Sequence, residues 1–379
     1  MHIVHLVTRL LRAGSEENTI ATCQWQVAAG HRVTLVHGAD VDPFWRDHLP
    51  AGIDRIAVPQ MVHPVRPRQD AQALAALRAL YRQLAPDVIH THQSKAGILG
   101  RLAASAVPAA RVVHGIHIIP FEGVSAGKRA LYIAAERAAA RQTDLFIGVS
   151  EAVGRAYVDA GIADAARVHC VRSGMDLARF QAAFPPPDAT ALKGPAGSRV
   201  ALMMAAFEPR KRHVPFLEAW ARCGGAHSNV RLLLAGRGPE EARVRATVSA
   251  LGLEENVVFC GHRPDPHALF ALADLSVLTS EREGLPRVVV QSLAAGCPAL
   301  VQALPGLQEV VQHGENGWIA DAHDMDGVAQ RMMGLLSDPV SLARMRRGAQ
   351  ATDVSDWSLE ALGARTTALY GLDRAQAAA

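Results

Sequence analysis

Short apolar runs recur along the chain, and most are followed by a polar turn and then by a stretch with helical spacing. The first run, residues 2–7 (HIVHLV), predicts a buried strand. Residues 8–15 read as a loop, 16–29 as a helix stopped at Gly30, and 31–36 as a second strand. Residues 41–70 carry prolines at 43, 50, 59, 64 and 67 and read as irregular. Beyond them the pattern predicts helices over about 70–84, from Lys95 to about 105 and over 127–143, with strands over 87–92, 111–117 and 144–149. Residues 182–198, with Pro185-Pro186-Pro187, read as a linker. The alternation then resumes. Strands are expected at 200–204, 230–235, 257–259, 275–278 and 299–301, helices at 214–222, 267–273 and 287–295, and a last helix over 355–372. Two βα series joined by a linker predict an α/β chain with domains over 1–182 and 183–354.

The turn at Gly284-Leu285-Pro286 is the first place where the pattern points to chemistry. A strand enters it and a helix leaves it. Proline suits a helix start because its missing N–H would be unpaired there anyway. The free N–H groups of Gly284, Leu285 and Arg287, with the positive end of the helix dipole, favour a phosphate. Glu283 at the lip can accept hydrogen bonds from sugar hydroxyls. From spacing alone, a plain loop with one exposed acid fits equally well.

Composition narrows the classes. Hydrophobic residues make up 49% and charged residues 20%, an ordinary globular balance. No apolar run reaches the ~18 residues that span a bilayer, and residues 1–7 lack the features of a signal peptide. A cytoplasmic protein is expected, with no transmembrane segment. The five cysteines are scattered and form no C-x-x-C, so neither a disulfide framework nor a zinc-thiolate site is expected. Residues 1–180 hold 20 Lys and Arg against 15 Asp and Glu; the remainder hold 19 against 21. The excess in the first half suits an anionic membrane surface. Nucleic acid would want a denser basic stripe with interleaved aromatics, and none is present. Lys95 opens a helix, a poor place for a cation unless it serves an anion or a partner. Lys128 and Arg129 lie on the polar side of the 127–143 helix, which is read either as a solvated face or as a docking face for lipid headgroups. His90, His92, His114 and His117 could serve as metal ligands, but strand spacings alone do not set four ligands tetrahedrally. No metal or cofactor is expected.

Several linked motifs resemble one family. Glu283-Gly284, with Gln291 eight positions on, is similar to the Glu-x7-Glu signature of the retaining GT-B glycosyltransferases of family 4. Ala295-Gly296-Cys297-Pro298, Pro305-Gly306, Glu309 and Asn316-Gly317 extend the likeness. So do Ala13-Gly14-Ser15-Glu16, the run from His90 to Arg101, and His114-Gly115-Ile116-His117. Asp144 to Glu151 and Arg172 to Asp176 complete the series. The run from His90 closely resembles the polysaccharide-assembly branch. The resemblance implies two Rossmann-like domains facing each other across a cleft, with the terminal segment 355–379 crossing back to the first. It implies transfer of a hexose from a nucleotide diphosphate-sugar to a lipid-linked glycan or other sugar, at or near the inner membrane face. His117, Glu283 and Lys211 would be catalytic. Gly14, Arg210, Arg212, Gly236, Arg237, Arg263, Gly284, Leu285, Pro286 and Gln291 would bind the donor. Lys95, Lys128 and Arg129 would lie on the acceptor or membrane side. The chain departs from the pattern at Ala13, Ile118 and Gln291. Those departures keep a non-catalytic partner subunit open as an alternative, and a sugar-nucleotide epimerase shares the two-domain shape. No G-x-G-x-x-G follows the first strand, which argues against a dehydrogenase.

Overall fold

A computed structural model describes residues 1–284 and 286–371. The chain divides into two compact units, Met1–Met175 with the segment from Asp356, and Asp176–Ser355. The second unit begins before the triple proline because Phe180 and Leu192 bury themselves in its core, beside Val200, Leu202 and Phe270.

In the first unit seven strands form one parallel sheet. They are β1 (His2–Val7), β2 (Arg32–His37), β3 (Ile53–Ala57), β4 (Val88–His92), β5 (Arg111–Ile116), β6 (Leu145–Gly148) and β7 (Val168–Cys170). Their order is β3-β2-β1-β4-β5-β6-β7. Two of them lie where no strand was expected. β3 falls inside the proline-rich stretch, on the sheet edge, with Asp54, Arg55 and Ala57 exposed. β7 is three residues long, with no fully buried position. β1 and β4 are almost wholly buried, so they read as continuous runs rather than alternations. The final helix, Leu359–Tyr370, packs on the helix Gly14–Ala28 within this unit. Gly363 is needed there, because a Cβ would stand 2.2 Å from the Trp25 ring.

The second unit has six parallel strands: β8 (Arg199–Met204), β9 (Val230–Ala235), β10 (Val257–Gly261), β11 (Leu275–Leu278), β12 (Ala299–Gln302) and β13 (Gly317–Ala320), in the order β10-β9-β8-β11-β12-β13. Both sheets thus reverse direction once, between β1 and β4 and between β8 and β11. In open parallel sheets such reversals leave a crevice at the C-terminal strand ends, where ligands bind.

One buried ion pair braces the first unit. Arg101 and Glu136, on adjacent helices, meet at 2.6 Å with side chains 0% and 2% exposed. Arg101 Nε also donates to the Gly97 carbonyl. Truncating one partner strands the other charge, so Glu136→Ala should lower unfolding stability by about 3–5 kcal/mol. A denaturant titration would read it, and Arg101→Met/Glu136→Leu should recover most of the loss.

Candidate active site

In the second unit the site is built where β8 and β11 run side by side. After β8 the chain makes a single 3-10 turn, Pro209–Lys211, and Arg212 adopts a left-handed conformation (φ 57°) to start the helix His213–Arg222. After β11 comes the polar segment ending at Gly284. The two loops are sewn together: Glu281 N–H donates to the Arg210 carbonyl and Thr279 Oγ1 to the Lys211 carbonyl, both at 2.8 Å. This places Lys211 and Arg210 on the Glu283 carboxylate. Lys211 Nζ donates to Glu283 Oε1, and Arg210 Nη1 lies 3.1 Å from the same oxygen. Arg210 Nε also donates to Glu208 at 2.8 Å. Burial pushes the Glu283 carboxyl up, but the Lys211 and Arg210 charges outweigh it and hold the group below its ordinary value. The result is a mostly buried carboxylate with two cations that an incoming anion can compete for.

Several of the other expected donor residues have partners within the protein. Arg263 is clamped between Asp188 (2.8 and 3.1 Å) and Asp265 (2.7 and 2.8 Å), which fills its hydrogen-bonding fork. Arg212 donates to Gln302 at 3.2 Å. Arg237 is exposed. Gly236 and Gly238 do permit a close approach, but of the protein's own chain: Cβ atoms there would stand 2.1 Å from the Ala205 carbonyl oxygen and 2.4 Å from that of Phe207. Pro286 sits just ahead of the helix Arg287–Ala294, as its cap rather than in its first turn. Gln291 is half-buried on that helix. Leu285 lies outside the described residues.

In the first unit, Gly14 opens the helix after β1 and is exposed. Lys95 is not a free cation: its Nζ meets Asp70 at 2.6 Å and donates to the Pro64 carbonyl. Lys128 and Arg129 are exposed on the helix Ala126–Ala140.

The histidines gather here, with a member the spacing arguments missed. Register sets His5 of β1 opposite His90 of β4, and His92 opposite Gly115 of β5. His5 Nδ1 lies 3.0 Å from His92 Nε2, and His92 Nδ1 lies 3.1 Å from His117 Nε2. His114 stands apart, bonded to Thr91 at 3.0 Å. His5, His90 and His92 bring ring nitrogens close enough to suggest a metal trio. However, two nitrogens on one tetrahedral zinc at 2.0–2.1 Å stand about 3.3–3.4 Å apart. The 3.0 Å between His5 and His92 is a hydrogen bond.

Known proteins agree with this architecture. Residues 12–179 match the family model described as Glycosyltransferase Family 4, and residues 189–352 match Glycosyl transferases group 1. The N-acetyl-alpha-D-glucosaminyl L-malate synthase of Bacillus anthracis is 31% identical, over 37% of this chain and 36% of that protein. The UDP-Gal:alpha-D-GlcNAc-diphosphoundecaprenol alpha-1,3-galactosyltransferase of Escherichia coli is 24% identical over 78% of each chain. Among solved structures, Anabaena Alr3699/HepE in complex with UDP superposes with a TM-score of 0.79 at 22% identity, over 98% of this chain and 100% of that one. That likeness shows a shared two-domain GT-B fold.

Burial pushes His5 and His117 down to about 4, and His90, His92 and His114 well below 6.5. The unfolded chain therefore takes up protons near pH 6.5 that the folded chain refuses. The stability these groups support is complete above pH 6.5 and drains away as pH falls toward 4, at about 1.4 kcal/mol per pH unit for each histidine. Unfolding stability measured from pH 7 to 4.5 should fall steeply, and His5→Gln should flatten the slope by one histidine's share.

Proposed function

We propose, for a chain that belongs to glycosyltransferase family 4 and carries the GT-B fold, that it moves a hexose from a UDP-sugar to a lipid-linked glycan. Transfer proceeds with retention of configuration and without a metal ion. The observation that carries this reading is the convergence of Lys211 and Arg210 on Glu283 at the β8–β11 reversal. Two cations beside one carboxylate suit a ligand with both a diphosphate and sugar hydroxyls. When the donor enters, its diphosphate takes Lys211 and Arg210, and Glu283, released from them, accepts from sugar hydroxyls. Charge grows on the leaving diphosphate as the sugar bond breaks, so these cations assist turnover as well as binding. The diphosphate in turn receives the acceptor proton on the face from which it leaves. Gln291 holds the ribose as a neutral partner in place of an acid. His117 positions the sugar or the acceptor hydroxyl.

UDP is favoured by the nature of two similar proteins, one solved with UDP and one named for UDP-Gal and a diphosphoundecaprenol acceptor. The lipid-linked acceptor motivates contact with the membrane surface. Among the described residues no helix is long and apolar enough to cross a membrane. The helix Ala126–Ala140 offers Lys128 and Arg129 beside Leu131, which is 66% exposed, as a peripheral docking face.

The test is release of UDP from a panel of UDP-sugars with undecaprenyl-diphosphate-linked acceptors, with and without EDTA. Turnover of one sugar, undiminished by EDTA and retaining the anomeric centre by NMR, is expected. His117→Ala should cut turnover; full turnover in that variant would remove His117 from the mechanism. Gln291→Glu replaces a neutral partner (~0.5–1.5 kcal/mol) by a charged one (~1.5–3 kcal/mol). It should tighten donor binding by about 1 kcal/mol, roughly fivefold.

A further inference from the structure

The histidine cluster continues past its rings into the last helix, and there its polarity is decided. Tyr370 Oη lies 2.6 Å from His90 Nδ1. A tyrosine hydroxyl can give its proton to a bare imidazole nitrogen. With that proton given to His90 Nδ1, the tyrosine oxygen is left to accept. Gln26 faces that oxygen at 3.3 Å and Thr367 Oγ1 at 3.3 Å with its amide nitrogen. Its amide oxygen is thereby turned toward His5 Nε2, at 2.8 Å. An oxygen can only accept, so the His5 proton sits on Nε2 and His5 Nδ1 is bare. His5 Nδ1 then accepts from His92 Nε2–H at 3.0 Å. His92 Nδ1, bare in its turn, accepts from His117 Nε2–H at 3.1 Å.

We propose that Tyr370, Gln26, His5 and His92 form a one-way hydrogen-bond relay that fixes the tautomer of His117, with its proton on Nε2 and a bare lone pair on Nδ1. Gln26 is then a positioning residue, 21 places from His5 in sequence and acting on His117 only through two other rings. This rests on the reading that His117 meets a substrate hydroxyl. It also deepens that reading: the substrate atom at Nδ1 must be a hydrogen-bond donor, so a hydroxyl fits and a phosphate or carboxylate oxygen does not.

Two further features fit a relay and not generic packing. Gln26, His5, His90 and His92 are all at most 4% exposed, whereas His117 is half-buried, so the chain of rings ends at its one accessible member. Gly115, opposite His92, leaves the necessary space: a Cβ there would stand 2.8 Å from His92 Nδ1 and 3.1 Å from His90 Nε2. Burial also keeps the rings neutral, His5 and His117 titrating near 4, so the protons stay where the hydrogen bonds put them.

The test uses the full chain labelled with 15N-histidine. Long-range 1H–15N correlation distinguishes the two neutral tautomers, and loss of one ring's signals in His117→Asn assigns His117. At pH 7.5 His117 should be neutral with its proton on Nε2. Gln26→Met keeps the bulk and deletes the acceptor. It should mix the His117 tautomers and lower kcat about tenfold with KM little changed. Gln26→Glu keeps an acceptor oxygen in place and should preserve the tautomer. Tyr370→Phe, a gentler change at the far end, should loosen the tautomer preference with the fold intact. A proton on His117 Nδ1 in the wild type, or an unchanged tautomer in both Gln26→Met and Tyr370→Phe, would overturn the relay. Full turnover by His117→Asn would overturn the positioning role instead, and the tautomer signals would tell the two failures apart.

Discussion

A carboxylate that two cations share is the interaction on which the candidate site of the second unit turns. Glu283 is mostly buried, and burying a lone carboxylate costs several kcal/mol. Lys211 and Arg210 offset that cost. They can reach it only because β8 and β11 are neighbours, so that loops 72 residues apart in sequence close on each other. The trio also bears on the ligand proposed for the site. An anion that carries its own hydroxyls can take the cations and give Glu283 new donors, whereas a neutral sugar would have to leave the ion pairs in place. A nucleotide diphosphate-sugar meets both conditions.

The first unit solves a different problem with the same sheet. Its strand reversal sets β1 beside β4, and three histidines on those strands come together. Buried polar groups are mostly satisfied, and here His5, His92 and His117 satisfy one another in turn up to the accessible edge. The network thus couples stability and chemistry: the neutral state it requires makes the unit sensitive to acid. Only His90 Nε2 is left without a partner in this series.

Much of this was legible in the chain itself. Strands such as 230–235 and 275–278 announce themselves as apolar runs, because a parallel sheet covered on both faces removes the polar alternation. β3 did not, since an edge strand with exposed Asp54 and Arg55 between prolines has the composition of a loop. The Glu283 turn was legible as a motif, but its ion pairs were not, because pairing across a sheet has no sequence period. The same holds for Arg263, whose partner Asp188 lies 75 residues away. It holds for Lys95, whose partner Asp70 lies on another helix. His5 is the instructive omission. It is a polar residue in the middle of the first apolar run, and that was the available signal. Only the β1–β4 register shows that it belongs with His90 and His92.

A nucleotide diphosphate-sugar held by Lys211 and Glu283 would link ligand binding to stability. The most direct measurement is thermal stabilisation by a panel of nucleotides and nucleotide-sugars, without added metal, in wild type and Lys211→Ala. Free ligand at about 100 times its dissociation constant stabilises by about 2.7 kcal/mol. A clear shift with uridine diphosphate compounds, abolished in Lys211→Ala, is expected. A wild type indifferent to every nucleotide, or a shift that survives Lys211→Ala unchanged, would contradict it.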